Sequence, residues 1–555
     1  MQAAIPEKDS RFFCILSSQN PAMKKTLFLF LFAHLAFAQS SSLPIIIINT
    51  NGTGIVDEPK IKATMEIIDN GEGATNKIGD KPTFSGCIGI EYRGSSSQSF
   101  PKKPYGLETW TAEGIEVDTS LFGWPSESDW ILFASYNEKS LIHNVLSMRI
   151  GREMGLYASR TKYVELYLNN NYEGVYVFME KIKRNKGRVD IAKLNPDEES
   201  GDDLTGGYIF KIDKNTGSNN GSWKSNYSNL LVGFKPSEFF YEYPKDITSI
   251  QRDYIKNFVG EFEKALKSDN FTDPVLGYRP YIDVTTFVKV TILNEVSKNV
   301  DGYRISAFFY KDKDSKDGRL KMGPPWDYDI SYGNADYCEG WLPSGFSYNF
   351  NKVCPQDNWF VPFWWERFLS DPAFIADLRT EYDYLRENGI LKEENLMNLI
   401  DELAAEIRIP QQRNFQRWPI LGTYVWPSPR PVQQTWQGEV DELKSWLKTR
   451  LKWLDDNLPS EFIVLANQPE VAFKLTAYPN PFINSVSLDL IAPESGLANV
   501  QLTDILGRII ENKNYEVIPG NNVINLQLPE ASLENLQLLK VTLGDQVITQ
   551  RLLRK

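Results

Sequence analysis

Hydrophobic periodicity changes twice along this 555-residue chain, and those changes limit the folds open to it. Up to residue 180 apolar and polar residues mostly alternate, the two-residue period of half-buried strands. The stretches are PIIIINT and IKATMEIID within residues 43–69, CIGIEYRG and KPYGLETW within 84–118, then KYVELYLN and YEGVYVFME joined by Asn169, Asn170 and Asn171. One helical interval interrupts them at residues 138–155, where Leu141, Val145, Met148 and Met154 recur near helix spacing. The order is strand, strand, helix, strand, strand, followed by the charged run KIKRNKGR. Residues 195–207 and 215–229, rich in Gly, Asp, Asn and Ser, read as loops. From residue 250 the period is helical, over 252–266, 284–296, 360–368, 372–386 and 438–456. After Pro459 short strands return (VSLDLIA, NVQLTDILG, NVINLQL, LKVTLG), the pattern of a small all-β sandwich. The chain is therefore predicted to be α+β: a mixed segment, a helical segment, and a separate sandwich starting near residue 465.

Composition is ordinary for a globular protein, 42% hydrophobic and 24% charged. The net charge is −12 and no basic tail or stripe stands out, which argues against a nucleic-acid partner. There are two histidines, His34 and His143, and His34 falls in an apolar leader. A histidine-rich zinc centre is excluded, and a Ser-His-Asp hydrolase would rest on His143 alone. His143 lies in an amphipathic pattern, SLIHNVLSMRIGREMG, where packing is its ordinary role, so acid–base chemistry falls to carboxylates. The leader, residues 1–38, ends in the form of an export signal: Lys24 and Lys25 after Met23, an apolar run over 27–37, and Ala36-Phe37-Ala38 ahead of Gln39. Residues 1–22 do not have that form, which makes Met23 the expected start. The apolar run is too short to span a bilayer and no later run is long enough, so the mature chain is expected to be exported with no transmembrane segment. Cys87, Cys338 and Cys354 remain after the leader. Export permits a disulfide, and Cys338 and Cys354 are close enough in sequence to form one; three separate thiols is the alternative.

Residues 299–333, NVDGYRISAFFYKDKDSKDGRLKMGPPWDYDISYG, hold the densest chemistry. Asp301 sits in a short polar break. AFFY and a strand ending at Met322 flank a turn at Asp317-Gly318, and Asp327 and Asp329 follow Trp326. One carboxylate before a hairpin and one after it is the layout kinases use, the first orienting the attacking hydroxyl and the second holding Mg²⁺ against the phosphates. A plain hairpin with solvated acids at its ends has the same layout. Asp312, Asp314, Asp317 and Gly318 suggest a calcium loop, but the Glu at its twelfth position is missing, and a solvated turn fits better. The aromatic residues Trp359, Phe360, Phe363, Trp364 and Trp365, with Trp418, Trp426 and Trp436, read as packing unless several lie exposed in one flat row, as a sugar platform requires.

Three stretches, RGSSSQSFPKKPY starting at Arg93, EVSKNVDGY and PPWDYDISYG, together resemble the CotH family, the spore-coat protein H type of atypical protein kinase. The likeness covers most of residues 85–455, including Arg152-Glu153-Met154-Gly155 and YEGVYVFMEKIKR. It implies a kinase-like two-lobed core over residues 39–465, with a mixed N-terminal and a helical C-terminal lobe. It also implies transfer of phosphate from ATP, with Mg²⁺ or Mn²⁺, to Ser or Thr of a protein substrate. In that scheme Asp301 is the catalytic Asp that accepts or orients the substrate hydroxyl, and Asp327 the metal ligand, with Asp329 a second ligand. The loop at 94–99 would cover phosphates with backbone N–H groups and the hydroxyls of Ser95 and Ser96, beside Arg93. Lys103 or Lys102 is the candidate phosphate contact, Glu153 or Glu138 its partner, and Glu180 with Lys181 marks the hinge that would meet adenine. Read without the resemblance, each lysine is a solvated surface charge. The scheme departs at Ser306, where kinases and many members of this family carry a metal-binding Asn five residues after the catalytic Asp. A hydroxyl is a poorer ligand, so the resemblance also admits a weak or inactive kinase-like adhesin or scaffold, a role some relatives have.

The end of the chain carries a second resemblance. YPNPFINSVSLDL, VQLTDILGRII and VITQRLLRK resemble the sorting domain of the Bacteroidetes type IX secretion system. This implies that residues 466–555 direct passage through that machinery across the outer membrane, to the cell surface or the medium. A sandwich with turn residues explains the strands, but not both motifs or the basic end.

Overall fold

The computed structural model describes residues 40–215, 220–228, 236–460, 473–492, 495–518, 520–528, 536–544 and 546–554. The expected leader and the boundary near residue 465 lie outside them. The chain divides into two compact units, one reaching Ser460 and the other starting at Glu461. Its mixture of several sheets with many helices is that of an α+β protein.

In the first unit β1 (Ile45–Asn49), β2 (Ile61–Ile68), β3 (Phe84–Tyr92), β4 (Tyr105–Trp110), β5 (Asp129–Phe133), β6 (Thr161–Leu168) and β7 (Asn171–Glu180) form a closed barrel. The order is β1-β2-β3-β4-β5-β7-β6, closed by the parallel pair β1 and β6, with Ile45 opposite Glu165 and Ile48 opposite Leu168. Alternation decides what fills it. Ile46 and Ile48, Ala63, Met65 and Ile67, and Ile88 and Ile90 share one core with Trp130, Tyr176 and Phe178. Their strand neighbours Ile131, Val175, Val177 and Met179 point the other way and pack in the core that holds helix α1 (His143–Glu153). Strands β5 and β7 are thus buried on both faces, which is why VYVFM reads as a continuous apolar run.

A second, antiparallel sheet contains β8 (Tyr208–Ile212), β9 (Ser222–Ser228), β10 (Pro236–Tyr243), β11 (Ala307–Lys311) and β12 (Lys321–Met322) in the order β9-β10-β8-β11-β12. Strand β9 occupies a stretch whose composition indicates a loop. It is an edge strand that buries only Trp223 and Ser225, so its apolar signal is weak. The other expected loop contains a single helical turn, Gly201–Leu204.

The helices of five residues or more that follow are α2 (Ser249–Lys267), α3 (Val284–Ser297), α4 (Trp364–Phe368), α5 (Pro372–Glu387), α6 (Glu393–Ile407), α7 (Pro410–Arg417) and α8 (Trp436–Asn457). Helices α6 and α7 add to those expected from periodicity. Helix α3 is the centre of this part. The Asp283 carboxylate caps it by accepting the Thr286 N–H at 3.3 Å, and from Phe287 onward nearly every residue is buried. Glu295 of α3 meets Arg450 of α8 at 3.0 Å, both shielded from solvent. Trp364 and Trp365 are fully buried, whereas Trp359 and Trp426 remain partly exposed, so the aromatic cluster is mainly core. Cys338 and Cys354 form a disulfide, and Cys87 is buried in β3 outside that bridge. Among the described residues no helix is long and apolar enough to cross a membrane.

In the second unit β13 (Lys474–Tyr478), β14 (Ser485–Ala492) and β17 (Gly520–Gln527) form one sheet. Strands β15 (Gly496–Asp504), β16 (Ile509–Val517), β18 (Leu536–Leu543) and β19 (Gln546–Leu553) form another, ordered β16-β15-β18-β19. Both contribute alternate residues to one core, among them Val486, Leu488, Val500, Leu502, Leu539 and Val541. The motif residues shape its turns and ends. The Asp504 carboxylate accepts the N–H groups of Leu506 and Arg508, both at 2.9 Å, across the β15–β16 turn, where Gly507 takes φ +83°. Asn480 donates to the Arg551 carbonyl and accepts from the Leu553 N–H, both at 2.8 Å, and Phe482 is fully buried beside them.

Candidate functional site

The polar break after α3 is built by that helix. Lys298 ends it in the left-handed region, φ +45°, and its ammonium donates to the carbonyls of Glu339 (2.7 Å), Leu342 (2.9 Å) and Ser344 (2.6 Å). The Asn299 side chain accepts the Asp301 N–H at 3.0 Å. Gly302 is required by close approach: its carbonyl accepts from Asn294 of α3 at 2.9 Å, and a Cβ there would lie 2.5 Å from the Asn294 amide oxygen. Buried Arg304 donates to Asp301 Oδ1 at 2.7 Å and to Asp357 Oδ1 at 3.1 Å. Burial raises the Asp301 pKa above the ordinary carboxylate value; Arg304 and Lys214 oppose this, while Asp329 and Asp357 add to it.

The second acid pair follows β12 and Trp326. Asp327 takes φ +64°, a left-handed conformation that Asp tolerates better than most residues. Its carbonyl accepts from Asn299 Nδ2 at 3.2 Å. Tyr328 donates its N–H to Asn144 of α1 at 3.3 Å and its hydroxyl to Asn294 of α3 at 2.7 Å. Asp329 Oδ2 accepts from Asn137 Nδ2 at 2.9 Å, and its carbonyl accepts from Asn334 Nδ2 at 2.9 Å. Burial lowers the pKa of His143 to about 3, against the opposing pull of Asp329, so the ring is neutral. Asp327 is exposed to solvent. Its carboxyl is nevertheless raised above the ordinary range, first by desolvation on the side facing the protein and then by the negative charges of Asp329, Asp301 and Asp213. Asp301, Asp327 and Asp329 therefore lie close enough to act on one another.

The barrel rim reaches the same place. Arg93, immediately after β3, holds its guanidinium 5.5 Å from the centre of the Trp326 ring. Burial lowers its pKa, and Asp327 is the strongest of the charges opposing that. The loop at 94–99 starts there. Gly94 has φ +90°, and a Cβ on it would meet Ser97 Oγ at 2.1 Å. Gln98 Nε2 donates to the Gly94 carbonyl at 2.7 Å and to Asp57 at 2.8 Å, leaving Ser95 and Ser96 exposed.

The remaining candidates stand elsewhere. Lys102 is 1% exposed and donates to the Val175 carbonyl (2.5 Å), Asn414 Oδ1 (3.0 Å) and the Ser135 carbonyl (3.3 Å); burial lowers its pKa to about 7. Lys103 donates to the Gln98 carbonyl at 2.5 Å and so braces the loop. Glu153 is exposed at the end of α1. Glu138 is buried, accepts the His143 N–H at 3.3 Å, and is raised to about 7 by burial. Glu180, fully buried, accepts from the Arg160 N–H (2.9 Å) and guanidinium (2.6 Å). Ser306 precedes β11 with φ +53°. The fold thus gathers Asp301, Asp327, Asp329 and Arg93, sets Lys102, Lys103, Glu138 and Glu180 to bracing and packing, and leaves Glu153 at the surface.

Sequence reading passed over several members of the cluster: Asn137, Asn144, Asn299, Arg304, Asp357 and, past the end of β8, Asp213 and Lys214. Lys214 lies 5.4 Å from the centre of the Trp359 ring. One signal was available: Ser135, Asn137, Glu138, Lys139 and Ser140 form a polar run between a strand and a helix, and all are buried. A buried polar run needs partners. Among the described residues, tight three-carboxylate groups occur elsewhere, at Glu108, Glu116 and Asp129 and at Glu116, Asp118 and Glu127. The Lys183 ammonium already serves them, 2.8 Å from Asp129, 2.9 Å from Glu127 and 3.1 Å from Glu116. Comparison with curated proteins returned no match. The family model described as CotH kinase protein does match, over residues 90–454, a span that begins just before Arg93, contains all three clustered aspartates and ends in α8; the chain belongs to that family.

Proposed function

We propose that this chain is an exported kinase of the CotH type that transfers phosphate from ATP, with Mg²⁺, to Ser or Thr of a protein acceptor. The observation that carries the reading is the mutual approach of Asp301, Asp327 and Asp329, with Arg93 beside them. Like charges held this close favour a shared cation, and an all-oxygen donor set suits Mg²⁺ or Mn²⁺. Asp327 and Asp329 would hold that ion, which would neutralise phosphate charge. Arg304 fixes one oxygen of Asp301 and leaves the other for an acceptor hydroxyl, and the raised pKa makes Asp301 a stronger base than an open carboxylate. Arg93 supplies positive charge beside the metal pair, the part for which Lys102 and Lys103 are already engaged. The barrel with α1 corresponds to an N-terminal lobe and the helices from α2 onward to a C-terminal lobe. The end domain would serve type IX sorting to the cell surface or medium, after removal of the leader. Ser306 and the engaged Lys102 favour a second reading, a weak or inactive kinase-like adhesin or scaffold.

Calorimetry with Mg²⁺ and ATP, and transfer to a Ser-rich acceptor, separate the two. Asp327→Ala is expected to abolish Mg²⁺-dependent nucleotide binding. Asp301→Ala is expected to keep binding and to lose transfer by roughly 10²–10⁴-fold. A wild-type protein that binds neither ATP nor Mg²⁺ would leave only the scaffold reading.

A further inference from the structure

The clustered acids are held by side-chain amides from four separate elements. Asn299 bonds the Asp327 carbonyl, Asn144 the Tyr328 N–H, Asn294 the Tyr328 hydroxyl and Asn334 the Asp329 carbonyl. Each of these fixes backbone or a tyrosine. Asn137 differs: its Nδ2 donates to a carboxylate oxygen, Asp329 Oδ2, at 2.9 Å. It comes from the segment between β5 and α1, 192 residues away in sequence. It is 3% exposed. Its own carbonyl accepts from Ser428 Oγ at 3.1 Å and from Asn334 Nδ2 at 3.5 Å, so the residue is pinned from behind and its side chain has little freedom.

We propose that Asn137 is a positioning residue of this metal centre, its side-chain amide fixing Asp329. The inference rests on the kinase reading above. An amide N–H is suited to the task because it fixes one carboxylate oxygen without bringing a charge. A lysine or arginine there would neutralise the negative charge that a divalent cation requires; an aspartate would repel it. With Oδ2 occupied, Oδ1 of Asp329 is the oxygen left to face a cation. Partners of this kind around a metal ligand are worth roughly 10–100-fold in metal affinity.

The test uses the full chain and Mn²⁺ alone as probe, with affinity read by calorimetry and electron paramagnetic resonance, and folding read by thermal midpoint. Asn137→Ala is expected to weaken Mn²⁺ binding about 10–100-fold while the midpoint stays within a few degrees of wild type. Ser428→Ala removes only the bond behind Asn137 and is expected to leave affinity within about twofold. Wild-type affinity in Asn137→Ala would overturn the proposal. If Asn137→Ala does not fold, Asn137→Asp keeps the shape and puts a carboxylate against Asp329. Its midpoint without metal should fall and should be restored by Mn²⁺ to a greater extent than wild type rises; an unchanged metal-free midpoint would refute the contact. A wild type that binds no Mn²⁺ defeats the kinase reading itself and this proposal with it, whereas a binding wild type matched by Asn137→Ala defeats the proposal alone.

Discussion

Glu263 of α2 shows how much a single buried acid governs the behaviour of this fold with pH. Its oxygens accept from Ser225 Oγ at 2.8 Å and Trp364 Nε1 at 2.9 Å, both neutral donors. Burial pushes its pKa up to about 7. The folded chain therefore holds this proton more tightly than the unfolded chain. The resulting stability is complete below about pH 4.5 and is lost as pH rises through about 7. Glu263→Gln removes the titration at nearly constant shape. Its stability relative to wild type should rise between pH 4.5 and 7, by up to about 3 kcal/mol at 1.4 kcal/mol per pKa unit. Denaturant unfolding of both proteins at pH 5 and pH 8 measures the difference, and a constant difference would show that burial does not set this pKa. The same contrast between local and distant cause explains what was legible at the site. Asp301, Asp327 and Asp329 are readable because their spacing around one hairpin is local. Asn137 and Lys214 are not, because only folding brings them to the acids. Lys102 looks like a surface charge in sequence, yet it is buried under three oxygen acceptors contributed by β7, α7 and the residues just after β5.

Among the elements, α3 carries the largest burden, and its link to α8 is a buried ion pair. Arg450 donates to Glu295 Oε2 at 3.0 Å, to the Glu295 carbonyl at 2.7 Å, and to the carbonyls of Pro343 and Gly345 at 2.9 and 2.6 Å. Tyr303, Ser347 and Tyr348 complete the Glu295 carboxylate. Removing one member of such a pair strands the other charge in a dry interior, a loss of about 3–5 kcal/mol. Arg450→Met should therefore unfold at markedly lower denaturant than wild type, while Lys264→Ala, which breaks an exposed pair on α2, should change stability by less than about 1 kcal/mol. Equal effects of the two substitutions would mean that α3 and α8 are held by packing alone. The helices themselves are legible because apolar residues repeat at their spacing. Helix α6 has that repeat too, in Leu396, Leu399, Ile400, Leu403 and Ile407, and the sequence reading passed over it. Barrel closure is of another kind. The β1 to β6 pairing joins residues more than a hundred positions apart, and nothing in either strand names its partner. Strand β9 is hidden because an edge strand can remain mostly polar.

At the scale of the whole molecule the two units carry separate hydrophobic cores. The core of the second unit is complete without the first. Alternate residues of its strands face one another, and Asn480 ties the start of the domain to its last strand. A unit with its own core and its own closure should fold by itself. A chain ending at Ser460 should keep the thermal midpoint of the first unit and the Mg²⁺-dependent nucleotide binding proposed for it, because every member of the aspartate cluster lies before that point. A fragment starting at Glu461 should unfold cooperatively with the midpoint it has in the full chain. If the end domain is the sorting element, the shortened protein should also accumulate inside the outer membrane while the full chain reaches the surface, as surface proteolysis of intact cells would report. Loss of nucleotide binding on truncation would mean that the end domain supports the kinase unit and is no separate module. Normal surface display of the shortened chain, with binding intact, would leave the end domain as an independent β-sandwich and remove the sorting reading.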